Sequence, residues 1–228
     1  MSPDLPAELA ARHARTPVGA VIELVIGGDD RQVEDVLVGA GFEVVTRDGS
    51  QRTARRLRTL PDHVGPAMGL LVCGLNPSLY AADHGVNFAR PGNRFWPALL
   101  AAGLASVDRD PAHALRHHGV GITDLVKRAT VAASELRPEE YVEGVARVER
   151  LCAWLRPTAV CMVGLAGWRA AVDRRAGTGW QAGSVGGSPV YVMPSTSGLN
   201  ASTQHDGFVA HLRAAATGPG APATGSGT

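Results

Sequence analysis

The chain has 228 residues, of which 45% are hydrophobic and 19% are charged, and its formal net charge is +1. This composition excludes global disorder, and the near-neutral charge excludes a protein that is basic over its whole surface, so a nucleic-acid-binding face would have to be local. The length is enough for one medium domain with a small appendage.

The residue pattern predicts neither a metal site nor a cofactor. The three cysteines are isolated in apolar segments, as buried reduced thiols are, and the eight histidines lack the spacing of metal ligands. No G-x-G-x-x-G, Walker or G-x-S-x-G motif is present, which disfavours dinucleotide, nucleoside triphosphate and α/β-hydrolase sites. We find neither a signal peptide nor an apolar run of membrane-spanning length, and expect a cytoplasmic protein, nucleoid-associated if bacterial.

Residues 1–50 predict a small N-terminal appendage. After a short polar helix or frayed terminus, residues 17–48 alternate strand, helix and strand, with Asp29 or Asp30 as the helix cap. Residues 51–68 predict a basic connector. Two roles stay open for this part of the chain: it covers a sheet edge, or it adds nucleic-acid contacts through the arginines at 52, 55, 56 and 58.

Residues 69–216 predict an α/β domain. Short apolar runs are typical of buried parallel strands, and the segments that favour strands are 69–74, 120–125, 159–164 and 189–193. Between and after them, helices are predicted over 93–102, 138–155, 165–175 and 207–215. This alternation indicates a three-layer α/β/α sandwich with a short, mostly parallel central sheet. Residues 217–228 are of low complexity and predict a disordered tail.

Two polar loops follow predicted strands, at positions where parallel sheets bind ligands. The first occupies 75–92 and the second occupies 194–200. Neither loop contains a lysine, which argues against Schiff-base chemistry. Lys127 and Arg128 follow the strand predicted at 120–125 and suit contacts with backbone phosphates.

Four sequence blocks carry a resemblance to a known family. They are G-L-N-P-S-L at 74–79, N-F-A-R-P-G-N-R-F-W at 87–96, G-V-G-I-T-D-L-V-K-R-A-T at 119–130 and M-P-S-T-S-G-L at 193–199. In this order, they resemble the mismatch-specific uracil-DNA and thymine-DNA glycosylases. The resemblance implies a monomeric, monofunctional glycosylase that flips uracil, and by extension ethenocytosine or thymine, out of double-stranded DNA at a G mismatch and initiates base excision repair.

The resemblance implies that Asn76 positions the attacking water. An amide orients water through hydrogen bonds but is a poor base, which suits a dissociative reaction. Taken alone, an asparagine before a proline is also a common turn former. Asp83, seven residues later in the same loop, is either a second polar group near the sugar or a solvated loop carboxylate.

The implied base pocket uses residues of both loops. Phe88 is the expected stacking platform, and backbone groups around Leu75 and Phe88 are expected to read the pyrimidine edge. Tyr80 is a candidate for the pocket floor. Ser195 is also expected among the residues that bind the base.

The second loop is implied to enter the duplex. Leu199 is the expected wedge that fills the space vacated by the base, and Gly198 would allow close approach to the orphan guanine. The hydroxyls of Ser195, Thr196 and Ser197 suit phosphate contacts, and Asn200 completes the expected DNA-binding set.

The second loop also departs from the bacterial pattern. Bacterial members carry Asn-Pro-Ser-Gly-Leu where this chain has Ser-Thr-Ser-Gly-Leu at 195–199, so the opposite-base preference stays open. Two alternative functions remain at this point. One is a catalytically weak protein that binds damaged or mismatched DNA on the same fold. The other is a small-molecule enzyme whose binding would not depend on salt.

Overall fold

The N-terminal part of the chain forms a small sheet covered by helices. The protein is described here as a computed structural model over residues 1–220. The elements of this part are α1 (Leu5–Arg15), β1 (Val21–Val25), α2 (Asp30–Gly39), β2 (Phe42–Asp48) and β3 (Gln51–Arg56). β3 lies between β1 and β2 and is antiparallel to both. Residues 51–56, predicted as part of a connector, are therefore the central strand of a three-stranded sheet.

Within residues 1–220, the main sheet has five strands. They are β4 (Leu70–Gly74), β5 (Val120–Asp124), β6 (Ala159–Val163), β7 (Gly179–Val185) and β8 (Ser188–Met193). Their order is β5-β4-β6-β8-β7, and all neighbours are parallel except β7 and β8. The carboxyl ends of the four parallel strands therefore meet at one edge, which collects the loops that follow them.

Helices cover both faces of this sheet. They are α3 (Leu79–His84), α4 (Phe95–Ala101), α5 (Pro111–His118), α6 (Pro138–Leu155), α7 (Leu165–Ala171) and α8 (His205–Thr217). Alternate side chains of β4 divide between two cores: Leu70 and Val72 pack with α4 and α8, whereas Leu71 and Cys73 pack with α6 and α7. The predicted three-layer sandwich with a mostly parallel sheet is confirmed.

The N-terminal part packs on the main domain through α2 and α6. Arg150 on α6 pairs with Asp35 on α2, with Nη2 2.9 Å from Oδ1, and Trp154 packs against the core of the N-terminal part. Two arginines of its central strand are used internally: Arg52 is buried and bonds Asp30 at 2.5 Å, and Arg55 pairs with Glu43 at 3.2 Å. The arginine run is thus part of a folded unit rather than a free basic strip.

The sequence does not predict α3 inside the first loop, α5, the short 3-10 helix at Ala133–Glu135 or the antiparallel strand β7. Helix α8 extends through Thr217, where the tail was predicted to begin, and residues 221–228 of that predicted tail lie outside the described residues. Within residues 1–220, no helix is long and apolar enough to cross a membrane. Nor does the same part of the chain contain a cluster of three or more potential metal-ligating side chains.

Candidate active site

A cleft of about 290 Å³ opens at the carboxyl edge of the main sheet. Its lining combines both polar loops with the segment after β5, including Asn76, Phe88, Asp124, Thr130 and Ser195. The volume lies near the small end of ligand pockets, which span about 300–1,000 Å³, and suits one small planar group. The cleft therefore joins the two loops that the sequence singled out.

Asn76 is held by hydrogen bonds through one end of its amide. Nδ2 lies 2.8 Å from Thr130 Oγ1, 3.0 Å from the Arg128 carbonyl and 3.2 Å from the Pro77 carbonyl. Because all of these acceptors contact the nitrogen, the side-chain oxygen is left to accept a hydrogen bond from a molecule in the cleft. Ser78 caps α3 by accepting from the Ala81 amide at 3.1 Å, which fixes where the loop turns away.

Phe88 lies in the cleft wall with one face already covered. Its ring stacks on Phe95 of α4 with centroids 4.0 Å apart, and its backbone has a positive φ of 58°. A phenylalanine in this left-handed conformation is strained, which is typical of a residue held for function rather than for packing alone. Leu75 lines the same cleft, but its carbonyl accepts from the Val126 amide at 2.9 Å and its side chain packs with the core around α6.

The second loop presents an apolar side chain to solvent. Leu199 is 91% exposed at the cleft mouth, whereas Thr196 three residues earlier is buried. The loop is nevertheless organised: Ser197 Oγ accepts from the Leu199 amide at 3.3 Å, and the Ser197 carbonyl accepts from the Asn200 amide at 3.0 Å. Such a geometry holds a large apolar group away from the protein's own core.

Arg94 anchors the second loop through hydrogen bonds to its backbone carbonyls. Its guanidinium donates to the carbonyls of Thr203 at 2.8 Å and Ser197 at 3.1 Å, and also to the Asn200 carbonyl. It lies over the Phe208 ring at 4.7 Å from the centroid, a cation–π contact. Sequence reasoning missed this role, because the acceptors are backbone atoms more than one hundred residues away.

Gly198 and Asn200 stabilise the loop rather than reach outward. A Cβ at position 198 would lie 3.1 Å from the Gly92 carbonyl oxygen, so the close approach is to the first loop of the same chain. The Asn200 side chain donates to the Ser195 carbonyl at 2.7 Å and accepts from the Ser202 hydroxyl at 2.8 Å. Both ends of its amide are therefore engaged within the loop.

Two residues expected next to the sugar and the base, Asp83 and Tyr80, are not among those that line the cleft. Asp83 is exposed on α3 and forms a bidentate pair with Arg58, at 2.7 and 2.6 Å. This pairing lowers the pKa of Asp83 through the hydrogen bonds from Arg58. Tyr80 is also exposed and stacks on His84 with centroids 3.9 Å apart. Asp83 is thus a solvated surface carboxylate, the alternative that its sequence position left open.

The two basic residues after β5 are both paired within the protein. The Lys127 side chain is 8% exposed and its ammonium lies 2.7 Å from Asp62. Because this charge is buried against a carboxylate, Lys127 could contact a phosphate only by giving up its pairing with Asp62. Arg128 is half-exposed and pairs with Glu140 at 2.7 and 2.8 Å, which lowers the pKa of Glu140 to about 2.

Asp124 and Asn87 form a buried polar pair in the cleft that sequence reasoning did not assign. Asn87 Nδ2 donates to Asp124 Oδ2 at 2.8 Å, and both residues line the cleft beside Phe88. Burial raises the pKa of Asp124 to about 6, although nearby Lys127 and Arg147 oppose the shift. Asp124 ends β5 and lies one residue before the end of the strand predicted at 120–125, and that position is the sequence signal that could have found it.

The fold and the cleft together define an α/β protein with a small cleft at the carboxyl edge of its sheet, under a loop with a protruding leucine. The family model described as the uracil DNA glycosylase superfamily matches residues 61–216, more than half of the chain. The chain belongs to this superfamily, whose members are DNA glycosylases that hydrolyse the N-glycosidic bond of uracil-like bases. The match begins after β3, so the small N-terminal sheet lies outside it.

Proposed function

We propose that the protein excises uracil from G-mismatched double-stranded DNA as a monofunctional glycosylase in base excision repair, with Asn76 orienting the attacking water. The observation that carries this proposal is the orientation of Asn76. Hydrogen bonds from its Nδ2 to Thr130 and to two carbonyls leave Oδ1 as a fixed acceptor in the cleft lined by Phe88. A water held there would lie beside a base stacked on the free face of that ring.

The second loop supports base flipping from a duplex. Leu199 has no packing role in the protein's own core, and an exposed apolar side chain of this kind can occupy the gap left by an extruded base. Ser195 and Ser197 line the cleft mouth and can contact the flanking phosphates through hydroxyl groups. Gly198 and Asn200 contribute by holding the loop in this shape.

Near the cleft, Arg90 rather than Lys127 is the basic residue that can contact a DNA phosphate. Arg90 is exposed and lines the cleft in the first loop, next to the residues expected to hold the base. Arg128 is half-exposed and can make a second contact only by exchanging Glu140 for a phosphate. A local basic contact of this kind fits a protein whose net charge is close to zero.

A substrate panel tests the proposal. Uracil, thymine and ethenocytosine are each placed opposite guanine and opposite adenine in a duplex, and uracil is also placed in a single strand, with base release measured in single-turnover reactions. We expect the fastest release from the G·U duplex, because a weak pair lowers the cost of flipping. Tight, salt-sensitive binding of the G·U duplex without base release would instead support a damage-binding protein and refute the catalytic proposal.

A further inference from the structure

Asp124 lies where the polar end of the cleft meets the aromatic platform. It is the last residue of β5, is 4% exposed, and lines the cleft. A Cβ on Gly74 would clash with Asp124 Oδ1 and would lie 3.2 Å from Phe88 Cζ. The carboxyl group and the ring therefore converge over a glycine that leaves room for both, and a base lying on the ring would present an edge to Asp124.

Asn87 fixes the orientation of this carboxyl group. Its Nδ2 donates to Asp124 Oδ2 at 2.8 Å, while its own backbone carbonyl accepts from Trp96 Nε1 at 2.7 Å. Within residues 1–220, the buried Asn87 Oδ1 has no hydrogen-bond partner, and no donor reaches Asp124 Oδ1. Buried polar atoms are nearly always satisfied, so the buried Asn87 Oδ1, next to an Asp124 oxygen that has no protein donor, points to a ligand in the cleft.

Burial favours the protonated form of Asp124, and the nearby cations oppose it only in part. The two nearby cations are committed to a different carboxylate, because Lys127 Nζ and Arg147 Nη1 each lie 2.7 Å from an oxygen of Asp62. Arg147 contacts Asp124 only at its backbone carbonyl, at 2.7 Å, and the buried thiol of Cys73 adds no cation. Burial is the largest effect on the pKa of Asp124 and the Asp62 carboxylate adds to it. Lys127, Arg147 and the hydrogen bond from Asn87 oppose the rise, and the resulting value is about 6.

We propose that Asp124 is a catalytic residue that, as a neutral carboxylic acid positioned by Asn87, donates a hydrogen bond to a carbonyl oxygen of the departing base. This inference rests on the proposed glycosylase function and names the group that stabilises its leaving group. Asn87 Oδ1 is then the matching acceptor for a ring N–H of the same base. An adjacent donor and acceptor complement the neighbouring carbonyl and N–H of uracil, whereas ethenocytosine has no such N–H.

The step balances without another reactant. The bond between C1′ and the base nitrogen breaks, and its electron pair leaves with the base, where negative charge spreads to the carbonyl oxygens. Asp124 keeps its proton and shares it with one of these oxygens, as a buried neutral acid can. The water oxygen bonds to C1′ and releases a proton to solvent, and the base anion takes up a proton from solvent.

The proposal predicts a pH dependence that a merely structural carboxylate would not produce. In single-turnover reactions with saturating enzyme, uracil release by the wild type should fall about 50-fold between pH 6 and pH 8, as the protonated fraction falls from about one half to about one hundredth. Asp124→Asn keeps a neutral donor and should be active with a nearly flat profile. Asp124→Ala should be slow at every pH, and Asp108→Asn, an exposed carboxylate outside the cleft, should follow the wild type.

The outcomes separate the inference about Asp124 from the proposed glycosylase function on which it rests. A wild-type rate that is flat from pH 5.5 to 8.5 overturns the inference, whatever the variants do. An Asp124→Asn variant that is folded by circular dichroism but keeps the wild-type profile, or is inactive throughout, also overturns it. Absence of uracil release by the wild type at every pH refutes the proposed function and the inference together, whereas release with a flat profile refutes the inference alone.

Discussion

Leu199→Ala separates duplex invasion from bond cleavage. Leu199 is 91% exposed, so its truncation removes no packing from the folded protein and should change the free energy of unfolding by less than about 0.5 kcal/mol. If the side chain enters the duplex, truncation removes three carbon atoms from a buried position. At about 0.8 kcal/mol for each carbon, the loss is about 2.4 kcal/mol, or roughly 50-fold.

The assay compares one base in two contexts. Uracil release is measured at subsaturating enzyme from a G·U duplex and from the same strand without its complement. We expect Leu199→Ala to lose about 50-fold on the duplex and little on the single strand, because only the duplex leaves a gap to fill. Val142→Ala, which truncates an exposed aliphatic side chain on α6, is the control and should match the wild type on both. Equal losses on duplex and single strand would refute the wedge assignment.

Four further changes test the structure around the site. Asp62→Asn should reduce the free energy of unfolding by about 3–5 kcal/mol in urea titrations, since Lys127 and Arg147 would lose their buried counter-charge. Burial raises the pKa of Asp62, but Arg147 and Lys127 lower it by more, so the stabilisation from Asp62 is present above the unfolded pKa of about 4 and is lost as acid protonates the carboxylate. An unchanged acid-unfolding midpoint in the variant would contradict this. Asp124 shows the opposite sign: because its folded pKa is about 6, wild-type stability should fall by about 2 kcal/mol as pH rises from 4 to 6 relative to Asp124→Asn, and parallel stability curves would argue against the shift. Arg94→Met should slow release from duplex DNA more than from single strands by loosening the second loop, with equal effects counting against an anchoring role. Arg90→Gln should lower the slope of log affinity against log salt by about one unit, and an unchanged slope would show that Arg90 makes no phosphate contact.

The fold of the main domain follows from the sequence because its signals are local. Strands buried on both faces read as continuous apolar runs, and those at 70–74, 159–163 and 188–193 lie within a residue or two of their predicted positions. β7 has no such run, because it is an edge strand with exposed residues, although the Gly186-Gly187 pair before β8 is a hairpin signal. β3 was missed for a similar reason: its arginines mask an alternating pattern in which Arg52 and Ala54 face inward.

The sequence predicts the site residues that lie in contiguous motifs. It does not predict the residues whose environment depends on ion pairs between distant parts of the chain. Asn76, Phe88 and Leu199 follow from the family resemblance, and the structure brings all three to one cleft. The pairing of Lys127 with Asp62 depends on a carboxylate 65 residues away, so the sequence could not distinguish a phosphate ligand from a buried ion pair. Asp124 acquires its unusual environment in the same way, from burial and distant neighbours.

The central claim is that Asn76 orients the water that cleaves the glycosidic bond, and single-turnover uracil release from a G·U duplex tests it most directly. Wild type, Asn76→Ala and the exposed control Asp108→Asn are compared at saturating enzyme, so that differences in DNA affinity do not enter. We predict that Asn76→Ala is at least about 100-fold slower, since the water loses its fixed hydrogen-bond partner, while the control equals the wild type. Release of uracil by Asn76→Ala at the wild-type rate would contradict the account.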